Sequence, residues 1–387
     1  MRYYWTFLAV LFLVSLAGCG LFAKKTETED PHTIAKYSSK YLDEIYQDTN
    51  AYYGDLHVHS ESCGKSDGHT PIAEYTKYMD ELGMDFVNIV DHKQIAHAFL
   101  PAFDNDRMMI GTEWAVSFTD VPNENTSNGF AGIHFNMVFR DAHDFQKVLD
   151  AFTELKFKGD LETGYLAGYP RMTTRRFAEL AEFLTENGAI LVLAHPTTCN
   201  YDYSTAESSF FGENTYFEVL YSYTPQSVPA NYEAWQRLLN AGHHIYVSGG
   251  CDTHRALKND CISTFYTKNR HNTDYFDAMK AGNYTVGCLG MKMTIDDTPM
   301  GGTTSYAKGK VLNLRTDDLF RTGYNKKHAF KLQIVTDQGV AYCVENFDMS
   351  QPFECAIKIE DRMYYRAEVL DMETGVPVAL SNPIWLK

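Results

Sequence analysis

Short apolar runs alternate with amphipathic segments between residues 54 and 290, and this alternation constrains the fold more than any other feature of the chain. The predicted strands cover 55–58, 86–90, 108–111, 132–138, 190–193, 217–220 and 245–247. Predicted helices cover 71–82, 174–186 and 231–239. Thr70 is the expected N-cap of the first of these helices. A strand followed by a helix, repeated about seven times, predicts an α/β barrel.

The helical pattern disappears beyond about residue 290. Segments 310–314, 329–335 and 364–370 alternate apolar with polar residues and are separated by turn residues. Such alternation is typical of antiparallel strands with one buried face. We therefore predict a barrel over residues 51–292, followed by a small antiparallel β-sandwich-like domain over residues 293–387.

The N-terminus has the pattern of a targeting segment. After Arg2, residues 5–16 form an apolar stretch that is too short to span a bilayer but suits a signal peptide. The stretch ends in Leu16-Ala17-Gly18-Cys19, which resembles a bacterial lipobox. This resemblance implies that residues 1–18 are a signal peptide and residues 19–50 a tether. Lipid on Cys19 would anchor the protein to a membrane of the bacterial cell envelope, on the periplasmic side or at the cell surface.

Side chains that bind metal ions recur at the carboxyl ends of the predicted strands. His57 and His59 are two residues apart on one strand, so strand alternation points both imidazoles to the same face. The other such residues are His92, Glu113, His134, His195, Asp252 and His254. An α/β barrel gathers the carboxyl ends of its strands at the end that carries the active site. Mixed imidazole and carboxylate ligands suit zinc, manganese or iron better than calcium.

Four short motifs carry a family resemblance. They are His57-Val58-His59 with the later Ser66-Asp67-Gly68, Asp91-His92, Ala194-His195-Pro196 and Asp252-Thr253-His254. Over about residues 52–290 the chain resembles the PHP (polymerase and histidinol phosphatase) superfamily of metallohydrolases. That resemblance implies a PHP-type distorted (β/α)7 barrel. The C-terminal part is similar to the β domain that follows the barrel in the branch containing carbaryl-hydrolysing enzymes.

The resemblance also implies a centre of three divalent metal ions. Their expected ligands are His57, His59, Glu113 and Asp252 for the first, Glu113, His134 and His195 for the second, and His92 and His254 with Asp67 or His69 for the third. The choice between Asp67 and His69 stays open because the spacing after His59 is longer than usual. The expected catalytic residues are Glu113, Asp252 and Asp91, with Asp91 orienting a ligand. Lys93 and Arg255 are expected to bind phosphate oxygens.

Three functions agree with such a centre. The first is a phosphoesterase for small anionic esters, the second a carbamate or carboxylic ester hydrolase, and the third a non-catalytic PHP-like binding protein. Loops 117–129 and 197–211 are expected to recognise the substrate, and Tyr201, Tyr203 and Tyr216 would suit an aromatic or sugar-bearing one. With 34 Lys and Arg against 50 Asp and Glu, the net charge of −16 disfavours a long polyanion. We therefore expect no nucleic acid partner.

The lipobox leads to a first prediction. Cys19→Ala should prevent lipid attachment and release the protein from membranes, because the remaining amphipathic stretch 34–46 is too polar to anchor it. Cell fractionation followed by immunoblotting measures the distribution, and Cys343→Ala serves as the control that keeps its anchor. A mature Cys19→Ala protein that stays in the membrane fraction would contradict the lipoprotein interpretation.

Overall fold

A computed structural model describes residues 34–61, 66–203, 215–222, 225–320 and 327–387. The predicted signal peptide, Cys19 and the first part of the tether lie outside the described residues. Among the residues that are described, no helix has the length and apolar character needed to cross a membrane.

The described chain contains six α-helices and twenty-two strands. The helices are α1 (Lys40–Tyr46), α2 (Tyr75–Leu82), α3 (Asp144–Ala151), α4 (Thr174–Glu186), α5 (Val228–Asn240) and α6 (Asn272–Lys280). The first twelve strands are β1 (Asn50–Val58), β2 (Phe86–Ile89), β3 (Met108–Pro122), β4 (Phe130–Phe139), β5 (Phe157–Lys158), β6 (Tyr165–Leu166), β7 (Arg171–Met172), β8 (Ile190–Ala194), β9 (Thr215–Tyr221), β10 (Ile245–Gly250), β11 (Ser263–Thr267) and β12 (Tyr284–Gly287). The others are β13 (Leu289–Ile295), β14 (Thr298–Pro299), β15 (Thr303–Thr304), β16 (Val311–Leu319), β17 (Phe330–Thr336), β18 (Gly339–Val344), β19 (Phe353–Lys358), β20 (Tyr364–Asp371), β21 (Pro377–Ser381) and β22 (Ile384–Leu386).

A 16-stranded sheet is the framework of the molecule, with the main order β10-β9-β8-β4-β3-β2-β1-β11-β12-β21-β20-β17-β18. Within this sheet, the neighbouring strands β1, β2 and β3 run parallel to one another, and so do β8, β9 and β10. Each of the seven predicted strands is present, and the predicted α/β class is confirmed. The seven-stranded barrel and the C-terminal sandwich stay predictions.

The expected regular repeat of strand and helix is wrong between β3 and β4. These two strands pair antiparallel as a hairpin, and β4 also pairs antiparallel with β8. The loop reverses tightly because the Asn123 amide donates to the Gly129 carbonyl at 2.9 Å and Gly129 has φ 78°. A two-strand hairpin of this kind leaves no length of chain for a helix.

Helix α4 shows why the predicted helices form. Its predicted bounds are confirmed, and the Thr173 hydroxyl accepts a hydrogen bond from the Arg176 amide at the start. The side chains that recur at helical spacing, among them Phe177 and Leu184, are buried. The predicted cap of the first helix is wrong, because Thr70 donates its hydroxyl proton to the Arg255 carbonyl and α2 begins only at Tyr75.

In the strand order from β10 to β1, the segment that follows β10 makes main-chain hydrogen bonds to β1 and to the residue after it. The Asp252 amide donates to the His57 carbonyl at 2.8 Å, and the His59 amide donates to the Thr253 carbonyl at 2.9 Å. Gly250 allows this approach, since a Cβ at that position would lie 2.3 Å from Cβ of His57. The main chain therefore brings the first strand against the segment after β10 at the predicted metal ligands.

Strands from both predicted domains share the large sheet. β12 pairs antiparallel with β21, which pairs with β20. A second, four-stranded sheet has the order β14-β13-β16-β19. The boundary that we place between residues 292 and 293 stays a prediction.

Candidate metal centre

Three groups of side chains in the described chain have the composition and spacing to hold a metal ion. We name them group A (His57, His59, Glu113, Asp252), group B (Glu113, His134, His195) and group C (His59, Asp67, His92, His254). Within each group the potential ligand atoms lie within 4.8 Å of one another. Every residue proposed as a ligand from the sequence is in one of the groups, except the alternative His69.

Group A has the dimensions of a tetrahedral site. Nε2 of His57 and Nε2 of His59 are 3.2 Å apart, and Oε2 of Glu113 lies 3.4 Å and 3.2 Å from them. Oδ1 of Asp252 lies 3.4 Å and 3.0 Å from the same two nitrogens. A tetrahedral ion with bonds of about 2.0–2.1 Å separates its ligands by about 3.3 Å. The four side chains therefore fit a divalent ion such as zinc.

An unsatisfied buried atom supports this fit. Oδ1 of Asp252 makes no hydrogen bond to any described residue. A buried carboxylate oxygen without a partner is costly, and a bound cation removes that cost. The other oxygen, Oδ2, accepts the hydroxyl proton of Tyr221 and is thereby held away from group A.

Glu113 joins groups A and B. Its Oε2 atom belongs to group A, whereas Oε1 lies 3.0 Å from Nδ1 of His134 and 3.0 Å from Nε2 of His195. The side chain of Glu113 is buried. It belongs to β3, which lies between β2 and β4 in the large sheet. One carboxylate thus presents one oxygen to each group, which is the arrangement of a bridging ligand.

Group C is the most open of the three. Oδ1 of Asp67 lies 3.3 Å from Nε2 of His254, and Oδ2 lies 3.4 Å from Nε2 of His92. The side chain of Asp67 is 57% exposed, compared with 1% for Glu113. His69 is exposed and outside the three groups, and its amide donates to the His254 carbonyl at 2.7 Å. The geometry therefore places Asp67, and not His69, beside the two histidines.

Protons balance the buried charge when no metal is bound. Burial alone would lower the pKa of His59, but the neighbouring carboxylates of Asp252 and Glu113 outweigh it and raise the pKa to about 9. Burial opposes the charge of His57 as well, yet the carboxylates of Glu218, Asp252 and Glu113 raise its pKa well above the ordinary value. Cation binding at group A must therefore displace protons from the imidazoles.

Glu218 is a functional residue that the sequence reasoning missed. Its Oε1 lies 3.0 Å from Nδ1 of His57, and its Oε2 accepts the His195 amide at 2.6 Å. A carboxylate on Nδ1 fixes the tautomer and leaves Nε2 free for a metal. The available signal was a single carboxylate inside the buried apolar strand β9.

Asp55 is a second missed residue. Its Oδ1 accepts the amides of His57 at 2.9 Å and Cys251 at 3.0 Å, so it ties β1 to the end of β10. Burial raises the pKa of Asp55 to about 7, although these hydrogen bonds oppose the shift. Its signal was that Asp55 is the one acidic residue of β1.

Asp91 supports the site from outside the three groups. Its carboxylate accepts the Ser60 amide at 2.5 Å and the Ser66 hydroxyl at 3.0 Å, and lies 3.1 Å from Nδ1 of His97. Burial would raise its pKa, but these neighbours hold the pKa below the ordinary value. These contacts hold the segment that carries Asp67, in agreement with the expected orienting role of Asp91, and its expected place among the catalytic residues stays a prediction.

Three residues of the site have a left-handed backbone conformation, which residues other than glycine rarely adopt. They are Lys93 with φ 63°, His195 with φ 29° and Asp252 with φ 49°. Such strain persists only where the surroundings determine the backbone. Here the Lys93 amide donates to the Glu113 carbonyl at 3.0 Å and its carbonyl accepts the Leu166 amide at 2.7 Å. The strain therefore coincides with the predicted centre.

The expected substrate-binding residues differ in their surroundings. Nζ of Lys93, next to His92, lies 3.7 Å from the ring centroid of Tyr169. Arg255 is exposed next to His254. The substrate contacts expected of Tyr203 and Tyr216 are wrong, because both rings are buried in the hydrophobic core. Their aromatic character serves packing.

Comparison with known proteins gives similarity at the level of structure only. No family model and no curated protein matches the sequence. A protein from Bifidobacterium adolescentis, described as a metal-dependent phosphoesterase, is similar with a TM-score of 0.33 and 16% identity, over 53% of this chain and 88% of that chain. Endonuclease Q is similar with a TM-score of 0.34 and 14% identity, over 60% of this chain and 57% of its own. The resemblance to the PHP superfamily rests on the motifs and on the ligand groups.

The prediction that excludes nucleic acid is wrong. The structure of Endonuclease Q holds a 27-mer duplex substrate with an abasic lesion at the active site. The net charge of −16 is a sum over the whole chain. It does not describe the local charge of a single site.

The contact between Glu218 and His57 leads to a second prediction. Glu218→Gln should weaken metal binding about 10-fold to 100-fold, because the amide removes the charge and places a donor against an N–H group. Competitive titration with a chromophoric chelator measures the affinity. Glu233→Gln is the matched control, since Glu233 is an exposed residue of α5. Equal affinities in the two variants would contradict the role of Glu218.

The protonated imidazoles lead to a third prediction, for the metal-free protein. The pKa of His59 is about 9 in the folded state against an ordinary 6.5. Its proton therefore stabilises the fold fully below about pH 6.5, and this contribution is lost as the pH rises through about 9. We expect the Tm of chelator-treated protein to fall between pH 6.5 and 9.5 by on the order of 5 °C.

Differential scanning fluorimetry at constant ionic strength measures this change. Protein loaded with zinc or manganese should lose less stability over the same range, because a cation replaces the protons. A metal-free Tm that stays constant or rises over this interval would contradict the charge balance.

Proposed function

We propose that the protein is a metal-dependent phosphoesterase of the PHP superfamily that hydrolyses small phosphoesters. The observation that carries this proposal is the two-sided carboxylate of Glu113, with one oxygen in group A and the other 3.0 Å from both histidines of group B. Adjacent cation sites with a shared carboxylate are typical of enzymes that cleave phosphoester bonds. We further propose three ions, of zinc, manganese or iron, in a distorted (β/α)7 barrel that precedes a β-sandwich-like domain.

The chain would hold and orient the reacting groups. Ions bound in the three groups would lower the pKa of a coordinated water and neutralise charge that develops on the phosphoryl oxygens. Glu113 and Asp252 would hold the centre, and Glu218 would keep His57 in the tautomer that binds. The ammonium of Lys93 would donate to a phosphate oxygen, and Arg255 would serve as a second donor.

The balance of charge favours a phosphoryl group. Three divalent ions bring six positive charges to a site whose ligand groups contain three carboxylates, those of Asp67, Glu113 and Asp252. A phosphoryl transition state spreads negative charge over several oxygens, whereas an ester or carbamate develops one oxyanion. Within the ligand groups this leaves a surplus of positive charge, which stabilises the phosphoryl transition state more.

The exposure of the ligands gives a direction of approach. The side chains of His57 and His59 in group A are fully buried, whereas His134 of group B is 40% exposed and Asp67 of group C 57%. We infer that the substrate reaches groups B and C from solvent.

On the lipobox alone, we propose that the protein works at the bacterial cell envelope while anchored through Cys19.

The bond that is cleaved provides the fourth prediction. Metal-loaded protein should hydrolyse 4-nitrophenyl phosphate with a kcat/KM at least about 10-fold above that for 4-nitrophenyl acetate or a 4-nitrophenyl carbamate. The shared leaving group removes most of the difference in recognition. Activity should disappear with chelator and return with manganese, zinc or iron, and Asp252→Ala gives the background.

The control is His143→Ala, which changes an exposed histidine outside the ligand groups. Cleavage of the carbamate or acetate without phosphate cleavage above background would replace the proposal with the alternative hydrolase. A protein that binds metal but cleaves none of the three would be the non-catalytic alternative. A duplex oligonucleotide with an abasic site belongs in the same screen, and its incision would extend the substrates to nucleic acid.

A further inference from the structure

A groove of about 590 Å³ opens beside group B. His134 and His195 line its inner end, and the β3–β4 hairpin forms one wall. The segment 198–200 and Tyr169 complete it. The volume lies within the range of sites that enclose an organic molecule. It is larger than a phosphate group requires.

The two walls of the groove are joined and ordered. Nδ2 of Asn123 donates to the Asn200 carbonyl at 3.1 Å, which ties the hairpin to the opposite segment. Nδ2 of Asn128 donates to the Ser117 hydroxyl at 2.8 Å, and the Thr126 hydroxyl lies 2.9 Å from the Phe130 carbonyl. These contacts fix the hairpin loop before a ligand enters, which lowers the entropic cost of binding.

The lining of the groove combines amide and hydroxyl side chains with apolar ones such as Ala115 and Phe130. Apart from the two histidines, no charged side chain lines it in the described part of the chain. The side chains of Asn125, Ser127 and Asn200 are exposed and make no hydrogen bond to described residues, so their donors and acceptors face the groove and solvent. Tyr169, 66% exposed, adds an aromatic ring.

This chemistry matches a particular kind of organic group. Amide and hydroxyl side chains both donate and accept hydrogen bonds, as sugar hydroxyls do. A second phosphate or a carboxylate would require a cation beyond Lys93, whose ammonium lies 3.7 Å from the ring centroid of Tyr169 and is assigned to the first phosphate. A wholly alkyl group would leave the amides unpaired, whereas a sugar ring presents apolar C–H groups to the apolar part of the lining as well. Resting on the proposed function, we propose that the groove binds the polyhydroxylated alcohol of a sugar phosphate while the ligand groups bind its phosphate.

A matched pair of substrates tests this proposal. In both glucose 6-phosphate and cyclohexylmethyl phosphate, the phosphate esterifies a primary alcohol that is attached to a six-membered ring. Only the ring of glucose 6-phosphate carries hydroxyl groups. We expect kcat/KM for glucose 6-phosphate to be at least about 10-fold higher than for cyclohexylmethyl phosphate. We also expect glucose 6-phosphate to raise the Tm of metal-loaded protein more than cyclohexylmethyl phosphate does. 6-Phosphogluconate, an open-chain compound with a carboxylate at C1, should be a poorer substrate than glucose 6-phosphate.

Variants assign the preference to the groove. The double variant Asn125→Ala/Asn200→Ala should lower the ratio of the two kcat/KM values about 10-fold, and Tyr169→Ala should lower it too. Asn269→Ala and Tyr306→Ala are the matched controls. Asn269 lies away from the candidate centre. It follows β11, whose Thr267 pairs with Asn50 at the start of β1, whereas His57 lies near the end of β1. Tyr306 lies in the C-terminal part of the chain.

The outcomes separate the two proposals. Equal kcat/KM values for the matched pair, or a preference unchanged in the groove variants, would overturn the sugar phosphate assignment while the phosphoesterase stands. A metal-loaded protein that cleaves 4-nitrophenyl carbamate but no phosphoester would overturn the proposed function itself.

Discussion

The burial of carboxylates that have no lysine or arginine partner among the described residues is the constraint on which the rest of the structure depends. Those around the candidate centre are Asp55, Asp91, Glu113, Glu218 and Asp252. The buried arginines Arg107 and Arg366 pair elsewhere, with Asp80 and Glu368. Positive charge at the centre must therefore come from imidazolium groups or from metal ions, since isolated buried carboxylates are too costly. Folding and cation binding are linked for this reason.

The sequence predicted the ligands better than their supports. Strand alternation and the common edge of the strand ends are enough to bring His57, His59 and Glu113 together, because both follow from backbone geometry. Glu218 was missed because its role depends on the neighbour that β9 acquires in three dimensions. The β3–β4 hairpin was missed because its chain reversal depends on a few turn residues, and two apolar strands look the same in either direction.

The wrong expectations have a common physical origin. Tyr203 and Tyr216 were assigned to the substrate from their place in the sequence, but the burial of an amphipathic ring is decided by tertiary packing. The net charge was used to exclude nucleic acid, although a sum over the surface does not give the field inside a cleft. Composition describes the average surface of the molecule, whereas recognition depends on a few local groups.

The pairing of β12 with β21 has a consequence for how the chain folds. Thr285 pairs with Ser381, so an edge of the large sheet stays open until nearly the whole chain has been synthesised. Pairs so distant in sequence form slowly, and an open edge invites pairing with other chains. The last strands therefore cover the edge that β12 would otherwise expose. A polypeptide that ends before them would carry every ligand of the candidate centre and still lack the neighbour of β12.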